Sequence, residues 1–266
     1  MTMLKRRDCL LCASLGLAMA STTWAQTTMM MAELDGPTLL QRATEAAGGE
    51  GWAKVKTLVL HGRAVFWGPT GASPRSVAEQ YSMWRVFDPE RAASHGAEGQ
   101  VRIVARNDDK LMFTVGYDGS TTWTEKGITP AAEADAFWAN NFGFGIIRHA
   151  TKPGFKAERI ADGWSHGHPV HLVRLTDPQG GVSLFGIDPK TYAVRSIGFS
   201  TARGWHERHY DDFVRQENPA WLQAREVTLY YNGAKANTLF WQRWVINGAI
   251  DPAVFKPPAS FPPPAR

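Results

Sequence analysis

The sequence predicts a mainly β protein with a minor share of helix, built on one large antiparallel sheet or barrel. Three observations carry that expectation. From residue 55 onward, segments rich in β-branched and aromatic residues recur at intervals of about 8–12 residues, the rhythm of a meander. Turn formers fall between them: Asp108-Asp109, Asp118-Gly119, Gln179-Gly180-Gly181, Asp188-Pro189 and Asn232-Gly233. Residues 128–150 break the run with helical character.

The chain of 266 residues opens on Lys5, Arg6 and Arg7, then an apolar run from Cys9 to Ala20 too short to span a bilayer, then Thr23-Trp24-Ala25. This is the pattern of a cleavable export signal over residues 1–25, with cleavage after Ala25 and a periplasmic or secreted product. Arg6-Arg7 ahead of Cys9-Leu10-Leu11 leaves both the general secretory and the twin-arginine routes open. Residues 26–36 read as a flexible lead-in. A helix follows over 37–47: Pro37 starts it, Leu39, Leu40, Ala43 and Ala47 form its apolar stripe, and Gly48-Gly49 end it.

Strands then run from KTLVLHGRAVFW (56–67) and SVAEQYSMWRVF (76–87) through to residues 237–246, about ten or eleven in all. Inside the 128–150 segment, Pro130 and the following Ala and Glu residues predict a helix over 131–141. A Gly-rich aromatic hinge comes after it. No interdomain linker is visible, so residues 37–258 are expected to form a single domain. The tail, 259–266, is Pro-rich and cannot continue a sheet.

Several function classes are excluded or weakened. Both cysteines, Cys9 and Cys12, lie in the leader, so a mature chain has no disulfide, thiolate nucleophile or Cys-ligated metal. Loss of the leader leaves 26 basic and 24 acidic side chains, a formal +2 with no Lys/Arg cluster. A nucleic-acid partner therefore has no electrostatic basis. No segment after the leader is apolar for long enough to cross a membrane as a helix. There is no Walker loop, GxGxxG or GxSxG elbow, and no cofactor is expected.

Two histidine groups need weighing. HGHPVH (166–171) looks like a metal site, but Gly167 and Pro169 mark a turn. On the strand beyond it His168 and His171 point to opposite faces, and His166 stays in the loop. Zinc would also need a fourth ligand, so no metal is assigned. GWHERHYDD (204–212) is one residue short of HExxH and sits in a strand, where Glu207 and His209 share one face and His206, Arg208 and Tyr210 the other. An enzyme reading, a metal-assisted or cofactor-free hydrolase using 166–171 and 206–212, stays open, because such groups converge only in space.

Two further motifs carry a resemblance. DGSTTW (118–123) lies midway and IDPAVFKPP (250–258) closes the meander, while AAGGEGWAKVKTL follows the first helix. Together they resemble the periplasmic lipoprotein-carrier superfamily (LolA/LolB-like), in particular its uncharacterised exported relatives, over residues 38–258. The resemblance implies an open, strongly curved antiparallel sheet, a half-barrel, with helices over its concave face. It also implies an acyl chain or other apolar small molecule in the hollow, and an envelope membrane protein as a second candidate partner. The Arg-Pro pair that follows the second strand in such carriers, and whose arginine holds the lid closed, is Asp88-Pro89 here, with Arg85 and Arg91 as neighbours.

A curled sheet must be filled by its own helix or by a guest. Segment 131–147 would be the plug or lid. The expected ligand-binding residues are Phe137, Trp138, Phe142 and Phe144 on that segment and Trp84, Phe113 and Trp123 on the sheet, although any single Trp serves more often as core. The expected function is an exported carrier or sensor for a lipid or other apolar ligand. A structural role at the envelope is the third candidate.

Overall fold

Asp35 starts the first helix by accepting a hydrogen bond from the Thr38 amide at 2.9 Å, which satisfies one of the amides left open at a helix start. The helix, α1, spans Gly36–Ala47, with Leu39, Leu40 and Ala43 on its buried stripe. A one-turn helix, α2 (Glu50–Ala53), turns Trp52 into the interior. The computed structural model describes residues 33–141 and 144–259. Phe142, the expected leader and residues 260–266 lie outside the described residues.

The strands are β1 (Thr57–Trp67), β2 (Pro74–Val86), β3 (Gln100–Asn107), β4 (Lys110–Tyr117), β5 (Thr122–Thr124), β6 (Gly127–Ile128), β7 (Lys156–Ser165), β8 (His168–Thr176), β9 (Val182–Ile187), β10 (Val194–Thr201), β11 (Gly204–Glu217), β12 (Ala220–Tyr231) and β13 (Ala234–Ile246). They form one open antiparallel sheet of 13 strands in the order β6-β5-β4-β3-β2-β1-β13-β12-β11-β10-β9-β8-β7. The expectation of about ten or eleven strands is corrected upward. The two-residue β6 is too short for alternation to show in sequence, and α2 likewise carries no readable stripe.

The order has a simple reading. Two meanders, β1 to β6 and β7 to β13, are joined side by side by the pairing of β1 with β13. The chain therefore crosses between the two meanders once, from one free edge, β6, to the other, β7. That crossing contains the third helix, α3 (Ala131–Asn141), and a 3-10 turn at Phe144–His149. The helix has the limits the sequence predicts.

Bulges bend the wall. Pairing shifts register between His61 and Gly62 against β13, and again past Gly62 against β2. Gly62 is required there: a Cβ would stand 1.9 Å from the Phe240 carbonyl oxygen. Alternation puts Leu58 and Leu60 of β1, Tyr81 and Met83 of β2 and Ile103 of β3 on the inner face, and His61, Trp84 and Arg102 on the outer one. The inner face carries one contiguous apolar core that includes residues of α1, α2 and α3. Among the described residues no helix is long and apolar enough to cross a membrane.

Candidate functional site: a hollow between sheet and crossing helix

α1 lies directly on β7, β8 and β12. Gly36 makes that approach possible, since a Cβ would come within 2.8 Å of the backbone at Ala157, Glu158 and Arg159. α3 covers the opposite half of the inner face differently. Its sequence, AAEADAFWANN, supplies mostly methyl groups, and its long apolar side chains are Phe137 and Trp138. Trp138 is 1% exposed, donates from Nε1 to Thr122 Oγ1 at 2.8 Å and packs its ring against Tyr117 at 5.7 Å. The far end of α3 is held from β12, where the Tyr231 hydroxyl donates to the Asn140 carbonyl at 2.9 Å. The helix is thus pinned at both sides of the inner face, with short side chains between.

Two adjoining hollows result. The larger, about 500 Å³, lies under α3 and is lined by Phe66, Tyr81, Phe113, Phe137 and Leu229. The smaller, about 150 Å³, lies toward α2 and β11 and is lined by Trp52, Leu60, Phe213, Trp221 and Trp241. Met83, Arg85, Arg208, Val227 and Leu239 belong to both linings and mark their common boundary. The larger volume falls within the range of about 300–1,000 Å³ typical of ligand pockets.

Of the expected ligand-binding residues, Phe113 and Phe137 line the larger hollow. Trp138 is buried beside it. Phe144 begins the 3-10 turn. Trp84 and Trp123 are placed away from the hollow. Trp84 meets His61 edge-on at 5.7 Å on the outer face. Trp123 is buried there under the Arg102 guanidinium, its Nε1 donating to the Phe255 carbonyl at 2.8 Å. Strand parity decides both positions: Trp84 is out of phase with the inward Tyr81 and Met83. Trp123 stacks where a Cβ on outward-facing Gly116 would be.

Sequence reasoning missed the charged groups of the smaller hollow. Arg85 comes from β2, Arg208 from β11 and Arg148 from the 3-10 turn, and all three line the smaller hollow. Glu98 Oε2 accepts from Arg85 at 2.6 Å and from Arg91 at 2.5 Å. Burial works against the Glu98 carboxylate, yet Arg85, Arg91 and Arg148 hold it below the ordinary carboxylate range. The Arg148 guanidinium lies 4.3 Å from the centre of the Trp52 ring and 4.7 Å from that of Phe87, and its Nε donates to the Trp52 carbonyl at 3.1 Å. Burial pushes it down to about 9; Glu98 pulls it up, and Arg85 and Arg91 press it down. Arg208 donates from Nε to His206 Nε2 at 3.0 Å. Burial, then Arg208, pushes His206 down to about 2, so the ring is neutral. The available signal was parity, since Arg85 shares the face of Tyr81 and Met83, as Arg208 shares that of Tyr210.

The histidines of 166–171 do not converge. His166 and Gly167, both at positive φ, form the two-residue turn between β7 and β8. His171 Nδ1 lies 2.9 Å from Asp162, and His168 Nε2 lies 4.0 Å from Asp211. The His166 ring instead stacks on His209 at 3.6 Å between centroids. His209 in turn contacts Ser165 Oγ at 2.8 Å and Glu207 Oε1 at 3.1 Å. Hydroxyl, imidazole and carboxylate stand in the order a nucleophile needs. However, Ser165 and His209 are 5% and 4% exposed, and the His166 ring covers the imidazole.

No protein-family model matches the sequence, and no curated protein matches it. Among solved structures the chain is similar to a LolA superfamily protein from Nitrosomonas europaea, at 8% identity over 85% of this chain and 99% of that one, with a TM-score of 0.50. The fold is LolA-like. A DUF1329 family protein from Desulfovibrio piger is also similar, at 8% identity over 83% of this chain and 96% of that one, with a TM-score of 0.49. The LolA-like sheet is open rather than closed, as the sequence resemblance implies.

Proposed function

We propose that this protein is an exported binding protein that holds a lipid or other apolar ligand between its curved sheet and α3. The observation that carries the proposal is the hollow of about 500 Å³ lined by Phe66, Phe113, Phe137 and Leu229. Apolar surface left facing open space in a chain otherwise well packed is surface reserved for a guest. The export signal expected at residues 1–25 supports a location in the periplasm or outside the cell, where lipids in transit need a shelter from water. A role as envelope carrier or sensor, with a membrane protein receiving the cargo, follows from the same reading. The hydrolase alternative has its best support in Ser165, His209 and Glu207, and the burial of Ser165 and His209 speaks against it.

Native mass spectrometry of the purified protein, with chloroform extraction of the same sample, tests the proposal. The expected result is a co-purifying lipid mass that is lost in Leu239→Trp, whose indole would fill the boundary between the hollows. A wild-type protein that carries no lipid and takes up no neutral apolar dye overturns it.

A further inference from the structure

The boundary between the hollows is charged in a way that a purely hydrocarbon guest does not use. Arg85, Arg148 and Arg208 line the smaller hollow, and among the described residues no Asp or Glu shares that lining. The carboxylates of the larger hollow, Glu125 and Glu133, belong to its other end, on the β5–β6 turn and the first turn of α3. Glu125 there accepts from the Thr114 amide at 3.0 Å. Glu98 pairs with part of this charge: its Oε2 already accepts from both Arg85 and Arg91, and its carboxylate also acts on Arg148. Arg85 is buried against Glu98, whereas Arg148 and Arg208 are half-buried at the hollow, where guanidinium groups keep their charge and suit an anion. Partial compensation comes from the Trp52 and Phe87 rings at Arg148 and from the neutral His206 ring at Arg208. Neither supplies negative charge.

We propose that the ligand is an anionic amphiphile, with one carboxylate or phosphate head in the smaller hollow among Arg85, Arg148 and Arg208, and its apolar tail in the larger hollow under α3. The inference rests on the reading of that hollow as a ligand site and adds the head group. The three arginines come from three separate elements, two from the wall and one from the crossing segment. A bound acidic head would therefore link the cover to the sheet. Guanidinium forks also match carboxylate and phosphate oxygens two at a time, which gives the head a defined orientation.

Displacement of the neutral dye N-phenyl-1-naphthylamine from delipidated full-length protein provides the test. The displacing probes are palmitate, hexadecanol and monododecyl phosphate with its dodecanol control. Palmitate is expected to displace the dye at a concentration about tenfold or more below that of hexadecanol, the size of one charge-assisted hydrogen-bond pair. Arg148→Gln and Arg208→Gln should each cut that ratio to about threefold or less through loss of palmitate affinity, with Arg208→Lys falling between them and wild type. The phosphate arm identifies which acidic head is preferred. If each alcohol displaces the dye as well as its acidic counterpart, the hollow stands as an apolar site and the acidic head is refuted. If neither dye nor amphiphile binds, the hollow itself is not a ligand site and both readings fail.

Discussion

Beneath α1 the inner face of the sheet is sealed, whereas beneath α3 the same wall keeps a hollow of about 500 Å³. The two helices have nearly equal length, 12 and 11 residues. Their side chains make the difference. α1 lowers Leu39 and Leu40 into the sheet at 0% and 2% exposure, where they join Val173, Leu175 and Phe185 in the core. α3 offers alanines over its first two turns and leaves Phe137 36% exposed. A curved sheet thus becomes core or container according to the volume its covering helix brings, and not according to the wall itself.

That contrast can be broken at several points, in descending order of effect. Leu40→Ala removes a fully packed side chain from the sealed half, and chemical denaturation should show a loss of about 2–5 kcal/mol. Beside Arg208, the sheet buries His206 at 0% exposure. Its ring stays neutral in the fold, held down to about 2, while in the unfolded chain it takes a proton near its ordinary value of about 6.5. The unfolded state therefore binds the extra proton, and stability falls as pH drops below about 6.5, by about 2 kcal/mol at pH 5. Denaturation at a series of pH values should show this loss in the wild type, with His206→Gln flatter over that range by one proton. The smallest effect belongs to the open half. Phe137→Ala should cost less than about 1.5 kcal/mol, because the ring is only partly withdrawn from water. The same variant should bind an apolar dye more weakly, and a large stability loss without a change in dye binding would reverse the comparison.

The parts of this architecture that local chemistry controls were readable in the sequence. Pro37 marks the start of α1, Pro130 precedes α3, and Asn232-Gly233 turns β12 into β13 at positive φ. Alternation also sorted Glu207 and His209 from His206, Arg208 and Tyr210 correctly. What stayed hidden depends on pairing between distant strands. The arginines of the smaller hollow lie at positions 85, 148 and 208, and share one lining only because β1 joins β13 and the crossing segment returns over the wall. Trp84 and Trp123 were expected at the ligand because aromatic content alone says nothing of which face a side chain takes. Parity against Tyr81 and Met83 would have placed Trp84 outside.

The passage of the chain from β6 to β7 has a mechanical consequence. A strap fastened to both rims of a bowl behaves like the string of a bow: spreading the rims tightens it, and slack in it lets them part. The chain between Thr129 and Phe155 is the covalent link from rim to rim, so its contour length bounds how far the two edges can part. Lengthening or shortening that one link would retune the gape without disturbing a single strand register.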